Sequence, residues 1–287
     1  MNGFYNVIKP IGRSSSDLVI KIRGILRRQT GKKVKVGHLG TLDPQATGVL
    51  GVAVGSATKL FDFFLTKTKT YVATCVLGKE TDTLDAVGTV IRQGKVPGLT
   101  DERIGEILHS FKGEISQIPP RFSAKSIGGV RAYRLAARGE EPILKPCNVT
   151  ILSIELLERV SADTFRFSVE CSGGTYIRSL CRDIGQRLGC PAYMGSLTRV
   201  KNGAMKIENA VTLEEIEKDV LSGFTGLEEF GKSLKKLDFS EDLRMKIENG
   251  VKLPIAEEGL ISVYIGGVFY GIGSGVDGSL KIIAREG

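Results

Sequence analysis

Fourteen residues from Gly37 to Leu50, G-H-L-G-T-L-D-P-Q-A-T-G-V-L, leave the backbone few options. Val34 and Val36 lead into the segment and Val49 to Val54 lead out of it, two short apolar runs of β type. Between them Gly37, Gly40, Pro44 and Gly48 supply turn chemistry that a strand or helix interior rejects. The segment therefore reads as a loop held at both ends, with Asp43 as its single acidic side chain. Loops on rigid supports often carry catalytic groups, and an Asp before Pro just as often caps its own backbone. The turn by itself leaves both readings open.

The surrounding pattern predicts an α+β chain. Ser14 to Asp17 has the spacing of a capping box, and Leu18, Ile22, Ile25 and Leu26 recur on one face until Thr30-Gly31 stops the helix. A second helix follows Thr100, buries Ile104, Ile107, Leu108 and Phe111, and ends at Gly113. A third follows Gly173-Gly174, with Thr175 as cap, Ile177, Leu180, Cys181, Ile184 and Leu188 as its apolar stripe, and Gly189 then Pro191 as terminator. Arg178 lies just off that stripe. Residues 71 to 77, 149 to 157 and 164 to 171 read as strands. Their irregular alternation with helices favours a mixed, largely antiparallel sheet flanked by helices over a doubly wound parallel one.

Length suggests one large domain, residues 1–232, and a smaller one, 233–287, where short alternating runs separated by glycines predict a small β-barrel. Residues 117 to 147, with Pro119-Pro120, Gly128-Gly129 and a basic helix candidate at 131 to 138, read as an inserted arm. Gly273 to Gly278 fits G-x-G-x-x-G in form, but no helix follows, so it is read as a hairpin turn.

Forty Lys and Arg against 32 Asp and Glu give a net charge of +8, which favours a polyanionic partner. The excess gathers in Lys21, Arg23, Arg27, Arg28, Lys32, Lys33 and Lys35, with no acid among them, directly before the Asp43 loop. That stretch is either a solvated face or a surface for phosphates. No apolar run is long enough to span a membrane and no signal segment stands at the N-terminus, while five cysteines without a C-x-x-C pair argue against a disulfide framework or zinc site. The cytoplasm is the compartment that fits.

Further segments fall in a telling order: Lys9-Pro10-Ile11-Gly12-Arg13-Ser14-Ser15; Lys69-Thr70-Tyr71; Leu77-Gly78-Lys79-Glu80-Thr81-Asp82-Thr83-Leu84-Asp85; Gln117 to Lys125; Gly174-Thr175-Tyr176-Ile177-Arg178-Ser179-Leu180; and Leu197-Thr198-Arg199. With G-x-L-D-P-x-A-x-G-V-L they resemble, over residues 4 to 205, the TruB-type tRNA pseudouridine synthases. The resemblance implies the pseudouridine-synthase fold, with a PUA-like module as the terminal barrel. It implies that uridine 55 in the T loop of tRNA has its base detached, rotated and rejoined through carbon, without cofactor or metal. Asp43 would be the nucleophile, Arg178 the cation that keeps it ionised, and Tyr71 the aromatic that stacks on the base. His38 would fill the gap left by the flipped base, Tyr176 contact substrate, Leu197 close the apolar side, Asp85 line the site, and Lys9 support the loop beside the substrate. The implied partner is the tRNA T stem-loop, with no protein partner and a monomeric chain. A non-catalytic tRNA-binding protein on the same scaffold is the main alternative, and a metal-dependent hydrolase using Asp82 and Asp85 the lesser one.

Overall fold

The computed structural model describes residues 1–123 and 144–286, with residues 126, 127, 129–131, 135 and 138 between them. Its large sheet is built from β1 (Gly3–Lys9), β2 (Val36–His38), β3 (Ala46–Val54), β4 (Lys69–Leu77), β5 (Gly113–Gln117), β6 (Cys147–Arg159), β7 (Thr164–Cys171), β8 (Ala192–Asn202) and β9 (Phe224–Gly226). The order is β9-β1-β3-β8-β4-β7-β6-β5, with β2 paired to β3 at the side. β3 and β8 run parallel, and the other neighbours along that path are antiparallel. The predicted mixed, largely antiparallel sheet is therefore what forms. β3 is buried along nearly its whole length, as its Val, Leu and Ala content requires of a central strand.

Three helices close one core over this sheet. α1 (Ser15–Thr30) starts on the predicted capping box, with the Ser14 hydroxyl accepting from Asp17 N–H and the Asp17 carboxylate accepting from Ser14 N–H. It stops at Gly31, whose φ of 69° and bond to the Arg27 carbonyl form a left-handed cap. α2 (Asp101–His109) is capped by Thr100 and ends short of Phe111, which is buried in the following turn. α3 (Ile177–Leu188) is preceded by Tyr176 rather than Thr175, because the Thr175 hydroxyl is spent on the Ser172 carbonyl. Gln117, fully buried, holds the entry to α3 instead: it accepts from Tyr176 N–H and donates to the Tyr176 carbonyl.

The sequence reading passed over β1 and β8. β8 carries charged residues and an interior Gly195, and its register slips there by a bulge between Met194 and Ser196, which masks the alternation. Within the inserted arm, Ser126–Ile127 pairs with Val130–Arg131, and the helix candidate at 131 to 138 falls mostly outside the described residues. No helix among the described residues is long and apolar enough to cross a membrane.

The terminal strands Lys235–Phe239, Leu253–Pro254, Gly259–Ile265, Val268–Val276 and Ser279–Arg285 form a separate curled half-barrel. Asp277 and Gly278 connect two of them with φ of 50° and 68°, the hairpin turn expected there. This sheet is not a bead on a tether. Its Ile272 and Ala284 share an apolar cluster with Phe4, Leu39, Leu60, Phe64 and Leu227, and Ser56 donates to the Arg285 carbonyl at 2.6 Å. Removal of residues 235–286 should therefore destabilise the remainder by several kcal/mol, since each large apolar side chain re-exposed costs about 1.5–3 kcal/mol. Urea unfolding of the truncated chain checks this, and an unchanged midpoint would show the sheets to be independent.

Candidate active site

The loop between β2 and β3 has no ladder of its own, yet its carbonyls from Leu39 to Pro44 are all engaged. Asn202 Nδ2 donates to Leu39 O, Arg199 to Gly40 O and Thr41 O, Ser15 Oγ to Leu42 O, Ala46 N–H to Asp43 O, and both Gly12 N–H and Lys9 Nζ to Pro44 O. A backbone so fully satisfied holds its one carboxylate in a single place.

That carboxylate meets Arg178. Nε lies 2.9 Å from Asp43 Oδ2, with the arginine side chain 6 % exposed and the aspartate 36 %. The guanidinium also donates to the Thr83 and Phe122 carbonyls at 3.0 and 2.9 Å, and its Nη1 stands 3.8 Å from Asp85 Oδ2. Asp85 in turn accepts from the Thr83 hydroxyl at 2.6 Å and from Val87 N–H. Arg178 is thus fixed by the Thr83–Asp85 turn and the Phe122 carbonyl, and its Nε meets Asp43. The pair runs through Oδ2, which leaves Oδ1 outside it.

Asp43 and Arg178 open into a cavity of about 440 Å³, a volume that suits a single nucleotide-sized ligand. Tyr71 from β4 and Leu197 from β8 form apolar wall, Tyr176 and Thr175 stand at the start of α3, and Phe61 and Leu65 lie at the half-exposed rim. Burial raises the Tyr71 phenol above its ordinary value, while nearby Arg199 pulls it back. Burial also raises Tyr176.

Of the eight residues singled out from sequence, Asp43, Tyr71, Tyr176, Arg178 and Leu197 line this cavity. Asp85 stands behind Arg178 instead of lining the wall. Lys9 is fully buried and donates to the carbonyls of Pro10, Arg13 and Pro44, so it braces the loop and offers a substrate nothing. His38 sits on β2 outside the cavity wall, with Nδ1 buried and unbonded among the described residues; burial, then Arg199, lowers its pKa. Asp82 accepts from Thr89 N–H and serves the turn. Among the described residues no group of His, Cys, Asp or Glu is placed to hold a metal ion.

The model of the TruB family pseudouridylate synthase N-terminal domain matches residues 27–177, and that of the tRNA pseudouridylate synthase B C-terminal domain matches 178–236. The chain belongs to the TruB family. It is 39 % identical to tRNA pseudouridine synthase B of Clostridium tetani, covering 99 % of both chains, and 40 % identical to that of Caldanaerobacter subterraneus subsp. tengcongensis, covering 95 % of both. In fold it is similar to a solved H/ACA ribonucleoprotein bound to a substrate RNA containing 2′-deoxyuridine, with a TM-score of 0.71 and 23 % identity over 99 % of this chain and 84 % of that one.

Two buried cations of the TruB cavity carried no role in the sequence reading. Lys69, 5 % exposed, lines the wall and donates to the carbonyls of Phe64, Leu65 and Lys67; Arg199, 1 % exposed, clasps the Asp43 loop. The one available signal was their presence inside quoted motifs, since Lys and Arg are otherwise surface residues by default.

Burial pushes Lys9 down to about 8 from 10.5, against an upward pull from Asp43. Between those values the unfolded chain holds a proton that the folded chain has released, so wild-type stability should rise with pH relative to Lys9→Met. The gain should approach ~3 kcal/mol at ~1.4 kcal/mol per pH unit. Urea titrations of both proteins from about pH 7 to about pH 10 test it; a pH-independent gap would show that Lys9 titrates normally.

Proposed function

We propose that this chain converts uridine 55 in the T loop of tRNA to pseudouridine, with Asp43 as nucleophile. The observation that carries the reading is Asp43, the one carboxylate among the described residues that line the cavity, held by a buried arginine through one oxygen at a nucleotide-sized space. The names of the TruB relatives support tRNA as the substrate class. A uridine must leave its stack to reach Asp43, at a cost of a few kcal/mol. Tyr71 and Leu197 then give the base an aromatic and an aliphatic face to lie against. Asp43 attacks the base or the sugar carbon, the base is released, turns and rejoins through carbon, Asp43 leaves as carboxylate, and the proton on the newly bonded carbon is lost to water. His38, on the strand that leads into the loop, occupies the gap in the RNA.

Residues 1–232 form the catalytic unit in this reading and 233–287 the PUA-like unit that contacts more distant parts of the tRNA. The phosphate surface is the outer face of α1 and the segment after it. Lys21, Arg23, Arg27, Lys32, Lys33 and Lys35 are exposed there, and Arg23, Arg27 and Lys33 line a shallow hollow. Ser15, at the start of the same helix, exchanges hydrogen bonds with Leu42, so the basic face and the Asp43 loop are mechanically one piece.

Asp43→Asn should abolish pseudouridine formation in a T-stem-loop transcript, by ~10⁴-fold or more, while binding stays within a few fold. Carbodiimide mapping reads it, and multiple turnover by the variant would refute the nucleophile. Arg178→Met should also be strongly impaired, and Arg178→Lys only partly restored, because an ammonium cannot reproduce the fork that reaches Asp43 and two carbonyls. Replacing Arg23, Arg27 and Lys33 by Gln should weaken tRNA binding and flatten the plot of log affinity against log salt by about 0.7–0.9 for each phosphate no longer neutralised. An unchanged slope would move the phosphate surface elsewhere.

A further inference from the structure

Arg199 is among the largest fully buried side chains of the protein, and no carboxylate pairs with it among the described residues. Its three nitrogens donate instead to backbone: Nε to Val49 O at 2.8 Å, Nη1 to Thr41 O at 3.3 Å and Nη2 to Gly40 O at 3.2 Å. Strand register places it in a row with Gly48 of β3 on one side and Tyr71 of β4 on the other. Gly48 is required for this arrangement: its φ is 101°, and a Cβ there would lie 2.2 Å from the Arg199 carbonyl. The guanidinium forms part of the cavity wall beside the phenol on which a base would rest.

Burying a charge without an acid to neutralise it is costly, and loop carbonyls alone could have been held by a neutral amide. The charge is felt throughout the site. It lowers Lys9, Lys69 and His38 and acts on Tyr71 in the same direction. The wall of the cavity thus holds a positive charge that no described carboxylate pairs with, and a negative charge that binds or forms there can balance it.

The reaction forms such a charge. When the bond between ring nitrogen and ribose breaks, its electron pair stays on the uracil ring. The ring keeps that charge until one of its carbons bonds to the ribose, Asp43 is released as carboxylate, and the carbon gives up its proton while the ring nitrogen gains one. Atoms and electrons balance without a co-reactant, whichever carbon Asp43 attacks first. We propose that Arg199 is a positioning residue with an electrostatic task, holding a fixed positive charge at the cavity wall that stabilises the negatively charged uracil ring while it is free of the ribose. The inference rests on the functional reading above. The guanidinium serves because three carbonyls keep it from reorienting as the charge appears.

Single-turnover rates on a T-stem-loop transcript, stem-loop affinity and thermal midpoints of wild type, Arg199→Lys, Arg199→Gln and Arg199→Met test it. Lys keeps the charge and loses most of the clasp; Gln keeps amide donors and loses the charge. Arg199→Lys should stay within ~10-fold of wild type, and Gln and Met should lose ~10²-fold or more in rate, as when a preorganised donor is removed. Affinity should change by less than ~3-fold, and midpoints should not follow the rates. If Met does not fold, Lys against Gln decides. A Lys variant as slow as Gln, or a Gln variant near wild type, would overturn the electrostatic role and leave Arg199 a loop clasp. A wild type that binds the stem-loop and makes no pseudouridine would instead overturn the functional reading, and this inference with it.

Discussion

A loop that carries a reactive group far from any regular ladder stays in place only if its backbone polar groups find partners elsewhere, and this requirement organises the TruB chain around Asp43. The carbonyls from Leu39 to Pro44 are taken up by β8, α1 and the end of β1, and by the turn that closes on Ala46. Apart from Ala46, each partner is a distant piece of sequence. The core sheet must therefore be assembled in register before Asp43 has a position, and the position then needs no substrate to define it. Arg178 acts last in this hierarchy, approaching from the first turn of α3 with its own geometry set by Thr83, Phe122 and Asp85.

The same requirement fills the interior with charge. Lys9, Lys69, Arg178 and Arg199 are buried within reach of the cavity or its supporting loop, and Asp43 and Asp85 are the carboxylates that face them. Taken as a stability device the arrangement is poor, because cations held by carbonyls are weakly compensated for lost hydration. It makes sense as a site that accepts anions, where a rule of good packing is relaxed for the sake of chemistry.

Much of this could be read from the amino acids and some could not. The capping box of α1, the apolar stripe of α3 and the glycine-bounded loop are local signals, and the structure contains them nearly where periodicity and turn chemistry put them. The pairing of Asp43 with Arg178 was legible only through the family motifs, because more than a hundred residues separate the partners and no spacing rule joins them. β8 escaped because a bulge breaks its alternation, and Arg199 because a buried arginine bonded only to carbonyls leaves no charge pattern in the sequence. The attachment of the terminal sheet was hidden for a related reason. Ile272 and Ala284 are ordinary strand residues until β1 supplies the surface they cover.

That attachment bears on how the protein can be made. Phe4 lies on β1 and Ala284 on the strand Ser279–Arg285, far apart in sequence. One apolar cluster contains both. A chain emerging from the ribosome at about 5–20 residues per second therefore carries an uncovered patch on an otherwise finished sheet until the strand Ser279–Arg285 has been made and can dock. Contacts this distant in sequence close slowly. The interval between the two events is the period in which the nascent enzyme is most exposed to misassociation, and the step that ends it is the docking of the strand Ser279–Arg285.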